Sequence, residues 1–598
     1  MTAKLNRLHA LTSHSGVMKD CVSRGRYIRA LEIYDKMPIT DRDDVCSVLA
    51  LKACIRSKNL GKGIEIHHDL QQTTSNRLQN VHLQSALINL YGEHSDIDTA
   101  VGIFNQIPPS KRDAVIITSM MSAHIHCGQH REALDLYADY PDIDIDGRPQ
   151  KRKPIGHLLA LKACSNLKDL DRGQQIHSLL REQALIQNEH IKTELIHFYG
   201  HCGDIESAEN VFYSEPTPTR HSVICIGSML TAYNVHRQYA DTLNLFQSTL
   251  RCRPEIKRND TALSQALKAC TATMDIRRGH EIAGYIVGLG MGRNDVQWLR
   301  LRTALIQFYG AIGDINAATD ILNAIPAAKW DVFVVDVMMD ALCANERYIE
   351  CLELFNKMER ANHLIPSVLT AVNVFRACSA ETLFYFGHRV HDRLREHKVA
   401  RHLLKHREVQ TALISFYGKC GVLERCEAIF EVVEQTESDE NGSEISIWNS
   451  MITAHGRNGS IDRATELYRA MTERVGLEPD TQTFIALIGA HCTVGDVDTA
   501  QRIWEHEIGD DAVKYDEFVM TVLLDGMAKK GLLAETKAMI IKYHAHCKVM
   551  WMSLLSAAHS HSDSKMVDSV YQEIVSRFDD DDRFMTSVSV LMTKALLK

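Results

Sequence analysis

The sequence predicts an all-α protein, a right-handed α-solenoid of about fifteen helix-turn-helix repeats. Three observations carry this expectation. Related segments recur with a period of about 108 residues, three kinds of segment per period, so the basic unit is about 36 residues, the length range of helical hairpin repeats. Apolar residues inside each unit follow the 3.6-residue helical period. The 598-residue chain has only 12 prolines, and proline breaks helix interiors.

The first kind of segment reads SALINLYGEHS from Ser85, TELIHFYGHCG from Thr193, TALIQFYGAIG from Thr303 and TALISFYGKCG from Thr411. Its tyrosines, Tyr91, Tyr199, Tyr309 and Tyr417, therefore lie 108, 110 and 108 residues apart. A second kind reads LALKAC at Leu49–Cys54 and Leu159–Cys164, QALKAC at Gln265–Cys270 and NVFRAC at Asn373–Cys378. A third runs WNSMITAHGRNGSIDRATELYRAM from Trp448 to Met471, echoed by Thr118–Tyr137 and Asp336–Met358.

Each unit carries one plan, shown by TELIHFYGHCGDIESAENVF. Leu195, Ile196, Phe198 and Tyr199 make an apolar stripe on a first helix. Gly203 suits the left-handed residue that ends a helix, and Asp204 suits the cap of the next. Ile205, Ala208 and Phe212 then recur at i, i+3 and i+7, which marks a second helix. Two short helices cannot bury both faces alone, whereas stacked pairs share a continuous core.

Composition bounds the function classes. With 45% apolar and 24% charged residues, the chain has material for a long core and is not of disordered composition. No stretch approaches 18 consecutive apolar residues, so no membrane partner is expected. The net charge of −9 runs against a compact basic nucleic-acid module. Phosphate binding, however, depends on local positive stripes and not on the sum over a long scaffold. The 16 cysteines include no CxxC, and a structural zinc site needs clustered ligands. They read as small apolar residues in a reducing compartment, with no metal and no cofactor expected.

The chain opens MTAKLNRLHALTSHSGVMK, with Lys4, Arg7 and Lys19 and no acidic residue before Asp20. That composition suits a short organelle transit peptide, or else a frayed first turn, over residues 1–15. Repeat-like sequence then fills 16–546, and 547–598 reads as a helical extension. Four other signals read as loops. DIDIDG (Asp142–Gly147) lacks the glutamate of a calcium loop, having Lys153 at the twelfth place. QKRKP (Gln150–Pro154), TESDENGSE (Thr436–Glu444) and DDDD (Asp579–Asp582) read as solvated segments. No phosphate-binding glycine loop and no nucleophile elbow occurs, so no catalytic residues are expected.

On the segments LKACSNLKDLDRGQQIHSLL (Leu161–Leu180), TALISFYGKCG and WNSMITAHGRNG, the chain resembles the pentatricopeptide repeat family, in its variant with long and short motifs alternating in triplets. Phe518–Glu535 and Met550–Val575 look like that family's C-terminal extension. A deaminase domain following it would need HxE with CxxC; HxE occurs at His130–Glu132 and His406–Glu408 without a CxxC, so no editing chemistry is expected. The resemblance implies a scaffold, a monomer, that binds single-stranded RNA and reads one base per unit. The reading residues would be a polar side chain early in the first helix and the residue ending the unit. Aligned on Asn449, this pairs Asn449 with Asp480, a combination associated with uracil. Thr303 pairs with Asp331 and Ser85 with Asp113, combinations associated with guanine. Thr193 falls with Ser222, and Thr411 with Glu444. Val48, Leu158, Val372 and Ile485 place apolar residues at the reading position, and Gly227 and Asp336 are atypical there. The implied setting is organellar RNA processing, stabilisation or recruitment of a separate editing enzyme, in the mitochondrion first, with plastid or cytoplasm as alternatives. A protein–protein scaffold is the rival reading, since tetratricopeptide arrays share the architecture.

Overall fold

Among the described residues, the first helix in nine of the sixteen pairs starts at a residue built to start one. Asp43, Asn80, Asp113, Asn188, Ser222, Asn259, Asp331, Ser367 and Asp480 each accept a hydrogen bond from a backbone N–H in the first turn, satisfying donors the helix leaves orphaned. The structure, a computed structural model, describes residues 14–38, 42–73, 80–138, 154–214, 222–288, 296–361, 364–396, 400–435, 444–508, 517–543, 546–578 and 584–590. Residues 1–13, DIDIDG, most of QKRKP, most of TESDENGSE and DDDD lie outside the described residues. Among those described there are sixteen successive pairs of α-helices, beginning with His14–Ser23 and Tyr27–Lys36 and ending with Lys548–Ser560 and Ser564–Phe578, and no strand.

The chain divides into two compact units, Met1–Ala304 and Leu305–Lys598. Within each, the first helix of a pair packs on its own second helix and on the first helix of the next pair. That is the stacking the repeat predicts. In the first unit the expected plan is met residue by residue. The helix Glu189–Cys202 buries Leu195, Ile196, Phe198 and Tyr199, and ends on Gly203 at φ 95°. Asp204 then accepts from the Ser207 N–H at 3.0 Å and opens Ile205–Phe212, which buries Ala208, Val211 and Phe212.

The FYG tripeptide is the joint between neighbouring hairpins. In the first unit Phe198 lies on Gly173 of the preceding second helix, where a Cβ would stand 1.9 Å from the ring. Tyr199 Oη is 2.8 Å from His177 Nδ1 on that same helix. Gly200 faces forward, and a Cβ there would stand 2.7 Å from Ala232 Cβ of the next first helix. Leu90, Tyr91 and Gly92 repeat this against Gly63, His67 and Ala123. In the second unit Phe416, Tyr417 and Gly418 repeat it against Gly387, His391 and Ala454. One side chain locks back, one bonds back, and an absent side chain lets the next helix close.

Cys54, Cys164, Cys270 and Cys378 are fully buried, as small apolar residues in the stack should be. Burial pushes the Cys164, Cys270 and Cys378 thiols up to about 12. Sequence spacing gave no sign of the closest thiol contact, Cys343 Sγ to Cys351 Sγ at 3.5 Å, which joins the two helices of one hairpin.

Candidate nucleic-acid interface

Counting from the start of each first helix defines the open face. Residues two, five and nine lie within roughly 60° of one another on a 3.6-residue helix. The second residue is repeatedly large, apolar and exposed: Val45, Ile155 and Ile224 in the first unit, and Phe333, Leu369, Phe518 and Val549 in the second. The most exposed of these, Phe518, has 66% of its surface open to solvent. An isolated exposed apolar residue needs no explanation, but seven at one register do. Sequence reasoning passed over these residues. Their signal was available: an apolar side chain at the second helical place, off the phase of the buried stripe.

The reading side chains were expected early in the first helix, at the fifth residue for Ser85, Thr193, Asp336 and Thr411, the sixth for Asn449 and the eighth for Thr303, and the Asn449–Asp480 pair does meet. Asn449 Nδ2 donates to Asp480 Oδ1 at 3.0 Å, and Thr483 Oγ1 donates to Asn449 Oδ1 at 2.7 Å. Asp480 also caps the helix Thr481–Val494, accepting from Thr483 N at 2.8 Å, while Thr483 Oγ1 accepts from Asp480 N at 3.1 Å. Asn449 is thus fixed in rotamer and 8% exposed, with one amide N–H and one oxygen lone pair left over. Asp336, atypical by sequence, sits in the same arrangement with the chemistry exchanged. Ser367 Oγ donates to its Oδ2 at 2.6 Å and Thr370 Oγ1 donates to its Oδ1. Burial holds the Asp336 carboxyl above the usual carboxylate range, against the lowering effect of those two donors.

The other expected residues are placed differently. Ser85 Oγ lies 3.1 Å from Ser119 Oγ, which also accepts from Asn89 Nδ2 at 3.1 Å. Its expected partner Asp113 is the cap of Ala114–His126, accepting from Val115 N at 3.0 Å and Ile116 N at 2.9 Å through Oδ1 alone. Thr193, Thr303 and Thr411 all turn their hydroxyl protons onto the carbonyl four residues back, of Glu189 at 2.7 Å, Leu299 at 2.8 Å and Arg407 at 2.8 Å. Each therefore keeps acceptor lone pairs but no free donor. Asp331 caps Val332–Ala344 through Val334 N at 2.8 Å, and Ser222 caps Val223–Val235 through Cys225 N at 3.2 Å. Glu444 is the first residue of its helix. Every unit-ending Asp or Ser named here is a helix cap first.

Among the described residues, no group of three or more His, Cys, Asp or Glu side chains is placed to hold a metal ion. No helix is long and apolar enough to cross a membrane. What the open face offers is exposed apolar contact at the second residue of some first helices and fixed polar atoms early in others.

Helical hairpins stacked in single file, with one face left open at a constant register, define an α-helical repeat scaffold. The PPR repeat profile matches residues 115–140 and 333–363, and that of the PPR repeat family matches 444–493. The pentatricopeptide repeat signature is thus matched at three places along the chain. One pentatricopeptide repeat-containing protein of Arabidopsis thaliana is 24% identical over 522 residues, covering 86% of this chain and 86% of its own length. A mitochondrial one from the same plant is 24% identical over 574 residues, 94% of this chain and 70% of the relative. A chloroplastic one is 22% identical over 559 residues, 92% and 65%. Among solved structures, maize PPR10 in complex with an 18-nt psaJ RNA element is similar at a TM-score of 0.49 with 15% identity, covering 97% of this chain and 90% of PPR10.

Proposed function

We propose that this chain is a sequence-selective single-stranded RNA-binding protein of an organelle. The observation that carries the reading is the register itself. Exposed apolar side chains at the second residue of some first helices, such as Val45, Ile155, Ile224 and Phe333, share a face with held polar side chains at the fifth residue of others, such as Ser85, Thr193, Asp336 and Thr411. A base can stack on the first and meet the second with its Watson–Crick edge, and an unpaired strand offers both surfaces. The threonines, their protons spent within their own helices, present acceptors only, which suits a donor-rich edge such as that of guanine. Asn449 retains both a donor and an acceptor, which suits uracil.

Relatives described as mitochondrial and as chloroplastic support an organellar setting, with the mitochondrion the first place to look. The alternation of ALKAC, FYG and WNSMI units supports the triplet variant of the family. The hairpin Lys548–Ser560 and Ser564–Phe578 supports a C-terminal extension that recruits a separate editing or processing enzyme, the chain itself acting as a monomer without catalysis. The test is equilibrium binding of the purified chain to single-stranded RNA pools, followed by sequencing of the retained fraction. Enrichment of particular bases at fixed spacing is expected in the wild type, and loss of the enrichment at one position in Asn449→Ala. Equal retention of every sequence, or preference for a folded protein ligand over RNA, would overturn the reading.

A further inference from the structure

The ninth residue of the first helix is the one place on the open face where charge follows the repeat. Lys52 is ninth in Asp44–Ser57, Lys162 in Pro154–Leu167 and Lys268 in Asp260–Thr273. All three belong to the first unit, stand three hairpins apart and are exposed. Among the described residues none of them is in an ion pair. Seven residues separate the second place from the ninth, which brings the side chain back to within roughly 20° of the same line, about 10 Å further along the helix axis. The lysines therefore rise from the face that carries Val45 and Ile155.

We propose that Lys52, Lys162 and Lys268 form a phosphate track, gripping the backbone of the bound strand at every third nucleotide. The proposal rests on the RNA reading above. Two further observations favour it. At the ninth place the first unit's other residues are Val22, Asn89, Ser122, His197, Thr231 and Ala304, so no carboxylate cancels the lysines there, whereas the second unit sets Asp340 and Asp525 against Arg376. The chain's overall negative charge is thus absent from this register of the first unit. Second, the hairpins carrying Lys52 and Lys162 have Val48 and Leu158 at the fifth place, side chains that cannot hydrogen-bond a base. Those hairpins exchange a base contact for a backbone contact, so one hairpin in three holds the strand while the others read it. Lys162 also lies near Glu194 and His197 of the following hairpin. Burial raises the Glu194 carboxyl from its usual range, against the lowering effect of Lys162, and lowers the His197 imidazole.

The experiment is a salt series, 50 to 400 mM NaCl, measuring binding of a labelled random-sequence 21-nt single-stranded RNA pool to the full chain, to Lys52→Gln/Lys162→Gln/Lys268→Gln, and to a control triple on exposed second-helix cations, Lys36→Gln/Arg131→Gln/Arg277→Gln. Each phosphate contact contributes about 0.7 to the slope of log K against log salt for single strands, so the track variant should be shallower by about 2. The control should change far less, although its net charge is the same. A lysine-to-arginine triple at the track should keep the wild-type slope, which separates lost charge from lost fold. An unchanged slope in the track variant, beside a salt-dependent wild type, overturns the track and leaves RNA binding standing. Equal flattening in both glutamine triples also overturns it, because net charge alone would then explain the effect. A wild type that does not retain the pool at 50 mM overturns the RNA reading and the track with it.

Discussion

The ring of Phe198 fills the space that a side chain on Gly173 would need, with Cζ only 1.9 Å from where a Cβ would stand. The ring is fully buried and the glycine lies mid-helix at an ordinary helical φ, so the demand is for space and not for backbone freedom. Gly173→Ala should therefore destabilise the chain by about 1–3 kcal/mol, the usual cost of overpacking, although alanine is the better helix former. Urea unfolding followed by circular dichroism measures this. The double variant Gly173→Ala/Phe198→Leu should recover part of the loss.

Gly456 meets the next first helix, where a Cβ would stand 2.4 Å from Ala490 Cβ and 3.0 Å from Ala490 Cα. Ala490→Gly should be tolerated better than Gly456→Ala, and Ala490→Gly should rescue Gly456→Ala. Backbone as well as side chain is in the way, so Gly456→Val should abolish cooperative unfolding in the second unit. The same melting series reads all four variants.

Burial depresses the His391 imidazole from 6.5 to about 4, and its Nδ1 stands 2.8 Å from Tyr417 Oη. Above pH 6.5 the ring is neutral in folded and unfolded chains alike. As pH falls below that value the unfolded chain takes up a proton that the folded one refuses, so this contribution to stability is lost between about pH 6.5 and pH 4. The urea midpoint should fall over that window, and less steeply in His391→Gln. Identical slopes in the two proteins would remove His391 from the explanation.

Thr483 donates to the Asn449 oxygen at 2.7 Å and closes the capping box with Asp480. Thr483→Val keeps the shape and removes both bonds. It should cost about 1 kcal/mol in stability and, by freeing the Asn449 amide to rotate, weaken discrimination at that base more than overall affinity. Retained discrimination in binding assays would show that Asn449 is oriented without it.

Thiol accessibility follows burial. Cys252 is the exposed cysteine among the sixteen, whereas Cys54, Cys164, Cys270 and Cys378 lie within the stack. A native-state thiol titration should label Cys252 first, and the buried four only as the chain unfolds.

The hairpin plan was legible because its causes are local. Gly203 and Asp204 announce a helix end and a cap by their own chemistry, and the stripe of Leu195, Ile196, Phe198 and Tyr199 follows from periodicity. The meaning of the FYG motif was not legible, because its partners Gly173, His177 and Ala232 sit on two other helices and only stacking brings them together. The reading positions were half legible. Asn449 and Asp480 were placed together by repeat alignment, and they touch. Ser85 and Asp113 were paired by the same rule, yet Ser85 meets Ser119, and the threonines direct their protons into their own helix. A repeat alignment fixes where a side chain starts and says little about which neighbour its proton finds. The row of Val45, Ile155, Ile224 and Phe333 was visible in the sequence all along, but an apolar residue near a helix start looks like core until exposure is known.

On the RNA-binding reading proposed above, Asp113, Ser222 and Asp480 would each do two things at one address, starting a helix and flanking a base-facing side chain. Their vocabulary is therefore set twice over. A residue swapped in to alter which nucleotide is preferred must also begin a helix, and few side chains other than Asp, Asn, Ser and Thr do so without loss. Anyone retargeting this scaffold has a free choice at the fifth helical residue and a short alphabet at the cap, so the range of sequences it can be taught is limited by how α-helices begin.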